Sequence, residues 1–420
     1  MRIGIVGLGY VGLPLAVAFA EAGHEVVGVD TDPRLVESLA RSQSHIEDVS
    51  SERLAAVGDR FHPTTRYADL AKEEAVVIAV PTPLTRNREP DLGPLISAGT
   101  SLAGVLQEGQ LVVLESTTYP GTTRERLVPL LEESGLAAGR DFFVAFSPER
   151  IDPGRTDYTL RNTPKVVGGV TDECLRRAVE LYELVCEQIV PVTTPEAAEL
   201  TKLLENVFRS VNIALVNELA ILCDRMGIDV WEVVEAAATK PYGFMSFKPG
   251  PGMGGHCLPV DPFYLAWRAR EFDMQTEFIE LAGEVNTRMP YFCVEKIARA
   301  LNEQAKPVKG SRIAIVGVSY KAGVGDLRES PALKIIELLR EQGAELSYHD
   351  DYVPELPEYG LRSQPVEDAD CVAIVTVHPG LDLDAIEREA GVVVDFRGVY
   401  ATAKRPPAAT PNSTASNSPM

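Results

Sequence analysis

Cys257 is the residue whose setting most invites chemistry. It sits in the stretch 248–265, KPGPGMGGHCLPVDPFYL, behind Gly250, Pro251, Gly252, Gly254 and Gly255 and ahead of Pro259, Asp261 and Pro262. Glycine lets backbone approach a ligand closely, and proline fixes turns. A thiol on such a loop, with a carboxylate four residues on, can serve as a nucleophile. The same pattern suits a tight turn around an inert buried cysteine. A second pair, Lys202 and Asn206, stands at i and i+4 in a segment, 196–226, that has helical apolar spacing and no glycine or proline. Stacked on one helix face, they can hold a substrate oxygen and stabilise a developing oxyanion, or form a solvated polar stripe.

These groups need a frame, and the first 150 residues predict one. Residues 2–6 read as a strand running into Gly7-Leu8-Gly9-Tyr10-Val11-Gly12, followed by a helix to Ala22 and a second strand, 25–29, that ends in Asp30. The first glycine makes the turn, the second admits a pyrophosphate, and the third lets helix pack on strand. The phosphates then meet free N–H groups at the helix start. Asp30 is placed to accept hydrogen bonds from a ribose diol and would repel a 2′-phosphate, which favours NAD over NADP. Arg34 is a further residue on the cofactor side. Three more strands end in Pro81-Thr82, in Glu115-Ser116-Thr117 and in Ser147-Pro148-Glu149-Arg150. Carboxyl ends of parallel strands line the ligand crevice, so Thr82, Ser116, Thr117 and Glu149 are candidates there. Each hydroxyl could equally cap a helix or close a turn.

Composition narrows the rest. A net charge of −21 argues against a nucleic-acid partner. Six scattered cysteines without a CxxC pair argue against a disulfide framework or a zinc site, and for a reducing cytosol. No metal is expected. Residues 3–20 are broken by glycines and read as strand, turn and helix instead of a targeting segment, and no uninterrupted apolar run of membrane length follows.

The expected fold is α/β: two Rossmann-like doubly wound domains joined by a helical middle domain with a long central helix. The domains are 1–195, 196–300 and 306–400, followed by a disordered tail, 401–420, of Ala, Thr, Pro, Ser and Asn. The long helix could bridge domains or form a dimer interface. The third domain lacks GxGxxG at its first turn. Its loop 321–330, from Lys321 through Arg328, suits a phosphate or diphosphate, or else a capping network of Asp326, Arg328 and Ser330. Arg397, after the last strand, is another anion candidate.

In this order the pieces resemble the UDP-glucose/GDP-mannose dehydrogenase family of nucleotide-sugar 6-dehydrogenases over about residues 1–400. The motifs are GLGYVGLPLA at 7–16, VPTPL at 80–84, SPER at 147–150, ELTKLLENVFRSVNIALVNE at 199–218, GGHCLPVDP at 254–262 and YKAGVGDLRESP at 320–331. The resemblance implies that Cys257 is the nucleophile, with Lys202, Asn206 and Asp261 around it, Thr117 near the reacting carbon and Glu149 a catalytic carboxylate. It implies cofactor contacts from Gly7, Gly9, Tyr10, Val11, Gly12, Asp30, Thr82, Ser116 and Arg328. Arg150, Lys248, Gly252, Gly254, Lys321 and Arg397 would lie on the substrate side. It further implies NAD as cofactor, a UDP-sugar as substrate, a homodimer or larger assembly in the cytoplasm, and a role in polysaccharide synthesis.

The stretch 239–267 looks most like the UDP-N-acetylglucosamine 6-dehydrogenases. Where UDP-glucose dehydrogenases carry an arginine sixteen residues before the cysteine, this chain has Pro241. Where they carry a second glutamate four residues after the first, it has Pro153. UDP-N-acetylmannosamine, UDP-N-acetylgalactosamine and UDP-glucose are alternatives. Two-electron β-hydroxyacid dehydrogenases also pair an NAD domain with a Lys/Asn helix, but they need neither the cysteine stretch nor the third domain. A non-catalytic NAD-binding scaffold would need none of Cys257, Lys202, Asn206 and Asp261.

Overall fold

The computed structural model describes residues 1–85, 89–151, 157–255 and 257–400, and the side chains of Cys257 and Pro259 lie outside it. The expected tail, 401–420, and Pro153 fall outside the described residues. The chain forms two compact units interleaved in sequence. The first takes 1–214, 253–284 and 323–329; the second takes 215–252, 285–322 and the chain from 330 on.

The first unit is built on eight strands: β1 (Arg2–Val6), β2 (Glu25–Val29), β3 (Phe61–Thr64), β4 (Ala75–Ile78), β5 (Leu111–Leu114), β6 (Phe143–Phe146), β7 (Lys165–Gly169) and β8 (Ile189–Val192). Their order is β3-β2-β1-β4-β5-β6-β7-β8. β4, β5 and β6 are short apolar runs buried along their whole length, as strands covered on both faces must be. Helices α1 (Gly12–Glu21), α2 (Pro33–Ala40), α3 (Ser51–Val57), α4 (Gly93–Ala103), α5 (Val128–Glu132) and α6 (Asp172–Tyr182) connect them. One apolar layer gathers Ile3, Ile5, Leu13 and Phe19, and the other Val6, Ile78, Leu95 and Leu114. The chain leaves β1 in one direction to β2 and β3, then crosses to β4 on the other side. That reversal opens a crevice above the carboxyl ends of β1 and β4. The sheet is parallel except at β6–β7, where the chain turns back.

Next comes α7 (Pro195–Met226), 32 residues, then α8 (Val230–Ala238), α9 (Cys257–Arg270) and α10 (Glu277–Glu303). The cysteine stretch, read as a loop through residue 265, ends sooner: Cys257 opens α9. Pro259 falls in the first turn, where its missing N–H is no loss, and only Pro262 interrupts the helix. By length and composition α7 would also pass for a membrane span. Its Glu199, Lys202 and Asn206, however, are buried against other parts of the protein.

The second unit contains β9 (Arg312–Val316), α11 (Pro331–Glu341), β10 (Glu345–His349), a two-residue hairpin β11 (Glu355–Leu356) and β12 (Leu361–Arg362), β13 (Cys371–Ile374), α12 (Leu383–Glu389) and β14 (Val393–Asp395). The order β10-β9-β13-β14, all parallel, repeats β2-β1-β4-β5. The turn is repeated as well. Gly317 has φ 78° where Gly7 has φ 91°, and in both a Cβ would strike the carbonyl of the neighbouring strand end. The acid at the end of the second strand, which in the first unit accepts the Leu8 and Asp32 N–H groups, is engaged more heavily here. Asp350 accepts the N–H groups of Val318, Ser319, Tyr352 and Val353 and contacts His378 Nε2 at 3.0 Å, so its oxygens are spent on its own loops.

Candidate active site

In the first unit the Gly-rich turn runs from β1 into α1. Gly7 N–H donates to Val29 O at 2.8 Å, and Leu8 N–H to Asp30 Oδ2 at 2.9 Å, which ties the turn to the end of β2. A Cβ at Gly12 would lie 1.8 Å from Gly7 O, so only glycine lets helix and turn meet here. A Cβ at Gly9 would meet nothing within 4 Å, leaving that backbone open to the crevice. The crevice is a cavity of about 1490 Å³, large enough for a dinucleotide with room beyond it. Gly7, Gly9, Tyr10, Val11, Asp30, Thr82, Ser116 and Thr117 line it. So do Glu149, Lys202, Asp261 and Arg328. The open glycine, the helix start and a carboxylate at the end of β2 fit the pyrophosphate and ribose of a dinucleotide.

Arg328 reaches the same turn. Its guanidinium lies 4.8 Å from the centre of the Tyr10 ring and pairs with Asp326 at 2.6 Å. The capping network read at 321–330 is present too, for Ser330 caps α11 by accepting the Ala332 N–H. Arg34 stays out: it lies exposed against Asp32, the N-cap of α2. Thr82 and Ser116 donate to Thr117 O (2.6 Å) and Val80 O (2.7 Å), locking the ends of β4 and β5 together while still facing the cavity.

The other end of the cavity is set by α7 and α9. Glu199, Lys202 and Asn206 share one face of α7, at i, i+3 and i+7. Glu199, fully buried, accepts Gly121 N–H at 2.6 Å, Thr123 N–H at 2.9 Å and Thr123 Oγ1 at 2.6 Å. That anchors the helix to the loop that follows Thr117. Lys202 and Asn206 are buried as well, so the reading of a solvated stripe fails; α9 covers that face. Asn206 Nδ2 donates to Asp261 Oδ2. Tyr264, one turn further along α9, donates its hydroxyl to Thr82 O and so ties α9 to the end of β4. Burial pushes the Asp261 carboxyl up to about 6, against the opposing pull of the Lys202 ammonium and the Asn206 amide. Cys257 opens α9 one turn before Asp261.

Glu149 Oε1 accepts the N–H groups of Arg150 (2.7 Å) and Ile151 (2.5 Å). Arg150 turns away: it donates to Pro164 O and pairs with Glu205 on α7 at 2.6 Å. Gly254 belongs to the first unit but does not line the cavity. Lys248, Gly252, Lys321 and Arg397 belong to the second unit. There Asn217 accepts Gly250 N–H at 2.9 Å and donates to Asn286 at 2.9 Å, holding the Pro/Gly stretch, and a Cβ on Gly250 would come within 2.8 Å of Arg397 Nη1. Sequence reasoning missed Glu199 and Lys165. The sole signal was a charge next to apolar residues, which a solvated position shares.

Residues 1–186 match the NAD binding domain of the UDP-glucose/GDP-mannose dehydrogenase family, 196–288 its central domain and 314–402 its UDP binding domain. The chain is a member of that family. It is 37% identical to the UDP-N-acetyl-D-mannosamine dehydrogenase of Pyrococcus horikoshii over 417 residues, 97% of each chain. It is also 37% identical to the UDP-N-acetyl-D-glucosamine 6-dehydrogenase of Pseudomonas aeruginosa, over 86% of each. The solved structure of the Pyrococcus horikoshii UDP-D-ManNAc dehydrogenase superposes with a TM-score of 0.87, covering 97% of each chain. The dehydrogenase is NAD-dependent, with an NAD-binding Rossmann domain, a helical central domain and a C-terminal UDP-binding domain, and its substrate is a UDP-sugar.

Proposed function

We propose that this dehydrogenase oxidises the C6 alcohol of a UDP-N-acetylhexosamine to the carboxylate, with UDP-N-acetylglucosamine the favoured sugar. The balance is RCH2OH + 2 NAD+ + H2O → RCOO− + 2 NADH + 3 H+. The observation that carries the reading is the joint burial of Lys202, Asn206 and Asp261, with Lys202 and Asp261 lining the cavity, Asn206 bonded to Asp261, and Asp261 one helical turn after Cys257 on α9. Bound NAD+ supplies the hydride acceptor, once per oxidation. The turn 7–12 would hold its pyrophosphate and Asp30 its ribose.

The aldehyde made first must not escape. The Cys257 thiolate adds to its carbonyl as a thiohemiacetal, which the second oxidation turns into a thioester, and water then releases the acid. A cysteine at a helix start is favoured as thiolate by the free N–H groups around it. Lys202 steadies the negative oxygen in both steps, and Asn206 orients Asp261. Asp261, with its carboxyl near 6, takes the alcohol proton through a water at neutral pH. Thr117 lies beside the reacting carbon, and Glu149 orients the water that opens the thioester. Lys248, Gly252, Lys321 and Arg397 serve the UDP-sugar.

Pro241 supports the acetamido sugar, because it removes a hexose-directed arginine and leaves room at C2. The relatives named above act on two such sugars, which keeps UDP-N-acetylmannosamine as the second reading; a C2 epimer is told apart by one or two contacts. One side of α7 carries Leu200, Leu204, Phe208, Leu215, Leu219, Leu222 and Met226, all exposed. We assign that stripe to pairing with a second copy, in a cytoplasmic homodimer that makes an uronate precursor for polysaccharide. The deciding experiment counts NADH formed per sugar with UDP-N-acetylglucosamine, UDP-N-acetylmannosamine and UDP-glucose side by side. Two NADH on one acetamido sugar is expected. One NADH, or turnover unaffected by Cys257→Ser, would overturn the thioester route; a preference for UDP-glucose would overturn the reading of Pro241.

A further inference from the structure

At the cavity wall Glu149 belongs to a cluster of three ionisable side chains, of which the steps above use it alone. Its origin is the one antiparallel step in the sheet. β6 and β7 pair with Ala145 opposite Gly169 and Phe146 opposite Gly168. Carried past the end of β6, that register sets Glu149 opposite Lys165. Lys165 Nζ lies 3.6 Å from Glu149 Oε2 and 2.8 Å from Glu115 Oε1, the acid that follows β5. The side chains of Lys165 and Glu115 are 3% and 0% exposed, and that of Glu149 is 17% exposed. Tyr182 OH donates to Glu115 Oε1 at 2.5 Å, and its ring centre lies 5.0 Å from the ammonium. Glu115 Oε2 has no hydrogen-bond partner among the described residues.

The groups around Glu149 divide its two oxygens. Oε1 is held by the N–H groups of its own loop, and Oε2 faces Lys165. Arg150 is committed to Pro164 and Glu205. Tyr182 is kept a neutral phenol chiefly by burial, and the Cys186 thiol is pushed up to about 11, again chiefly by burial. Lys202 and Asp261 line the same cavity. Burial works against charge on Lys165, but Glu115 and Glu149 outweigh it and hold the ammonium charged. One cation therefore serves two carboxylates.

We propose that Lys165 is a positioning residue for Glu149, holding its carboxylate turned to the cavity, and that Glu115 tempers this hold by competing for the same ammonium. The proposal rests on the reading of Glu149 as the group that orients water for acid release. In that step a water oxygen bonds to the thioester carbon and the C–S bond breaks. The sulfur leaves with the bonding pair as thiolate, and the water gives up two protons, the first to Glu149. Lys165 fixes where the Glu149 carboxylate stands, and Glu115 draws the same ammonium away, so the two neighbours act with opposite sign on one step.

The test follows decay of the Cys257 acyl-enzyme by rapid quench and intact mass, in the full-length enzyme supplied with NAD+ and UDP-N-acetylglucosamine or UDP-N-acetylmannosamine. Lys165→Met should slow the decay at least about tenfold, and Lys165→Arg should restore it. Glu115→Gln, which keeps an acceptor for Tyr182, should speed it. Unchanged decay in both variants would overturn the proposal. Should Lys165→Met fail to fold, Glu115→Gln alone decides, and unchanged decay there overturns it. Glu149→Gln separates the two readings. If it leaves acyl-enzyme decay unchanged, the role of Glu149 itself fails; if it slows decay while the other variants decay as the wild type does, only the positioning role of Lys165 fails.

Discussion

Asp261→Asn should make this protein more stable at neutral pH while abolishing turnover. Asp261 is 2% exposed, and burial raises its carboxyl from 3.8 to about 6. Between those values the folded protein holds a proton that the unfolded chain has released, so stability falls as pH rises through this window. Above about pH 6 the folded state carries the full penalty of a buried carboxylate. A shift of 2.2 (6 − 3.8) corresponds to about 3 kcal/mol. That value already includes the favourable pull of Lys202 and Asn206. An asparagine pays none of it, and its amide oxygen can still accept from Asn206. Urea unfolding of both proteins at pH 4, 5, 6 and 7.5 tests the argument. The variant should gain up to about 3 kcal/mol at pH 7.5, and the gain should fade to near zero at pH 4. A variant no more stable at pH 7.5, or a difference that does not change with pH, would refute the reasoning. The expected trade, stability for activity, is the usual mark of a catalytic group held against its own solvation.

Two further outcomes follow from the geometry. Gly12→Ala puts a methyl 1.8 Å from Gly7 O, so the turn must open; unfolding should become easier by about 1–3 kcal/mol and NAD affinity should fall at least about tenfold, as read by calorimetric titration, whereas wild-type affinity would contradict the close approach. Leu204→Glu places a charge in the middle of the exposed apolar stripe on α7 and should reduce the mass seen by light scattering from a multiple of 45.6 kDa to 45.6 kDa itself; an unchanged assembly would place the interface elsewhere.

Much of the cofactor half was legible because its constraints are local. The glycine spacing 7–12, the apolar run before it and the acid at 30 act within one βαβ unit of about thirty residues. The start of α9 was less legible. Glycine and proline around Cys257 read as loop, yet a proline in the first turn costs a helix nothing, and the helix begins at the cysteine itself. The burial of Lys202 and Asn206 was open for the same kind of reason. A polar pair at i and i+4 looks alike whether water or another helix covers it.

By itself, then, the amino-acid sequence determined the two Rossmann-like repeats, the long helix, the cofactor turn and the residue types available for an oxidation with a covalent thiol intermediate. These follow from periodicity, turn chemistry and motif spacing, each set by neighbours in the chain. Only the tertiary structure decided which of those residues share a cavity, that Asp261 lies deep enough for burial to push its carboxyl up to about 6, and that Glu199 anchors the face of α7 that carries Lys202 and Asn206. It also decided that Lys165 stands between Glu115 and Glu149. Desolvation and charge pairing depend on which segments are brought together, and in this chain one antiparallel strand pair and the contact of α7 with the loop at Gly121 make that choice.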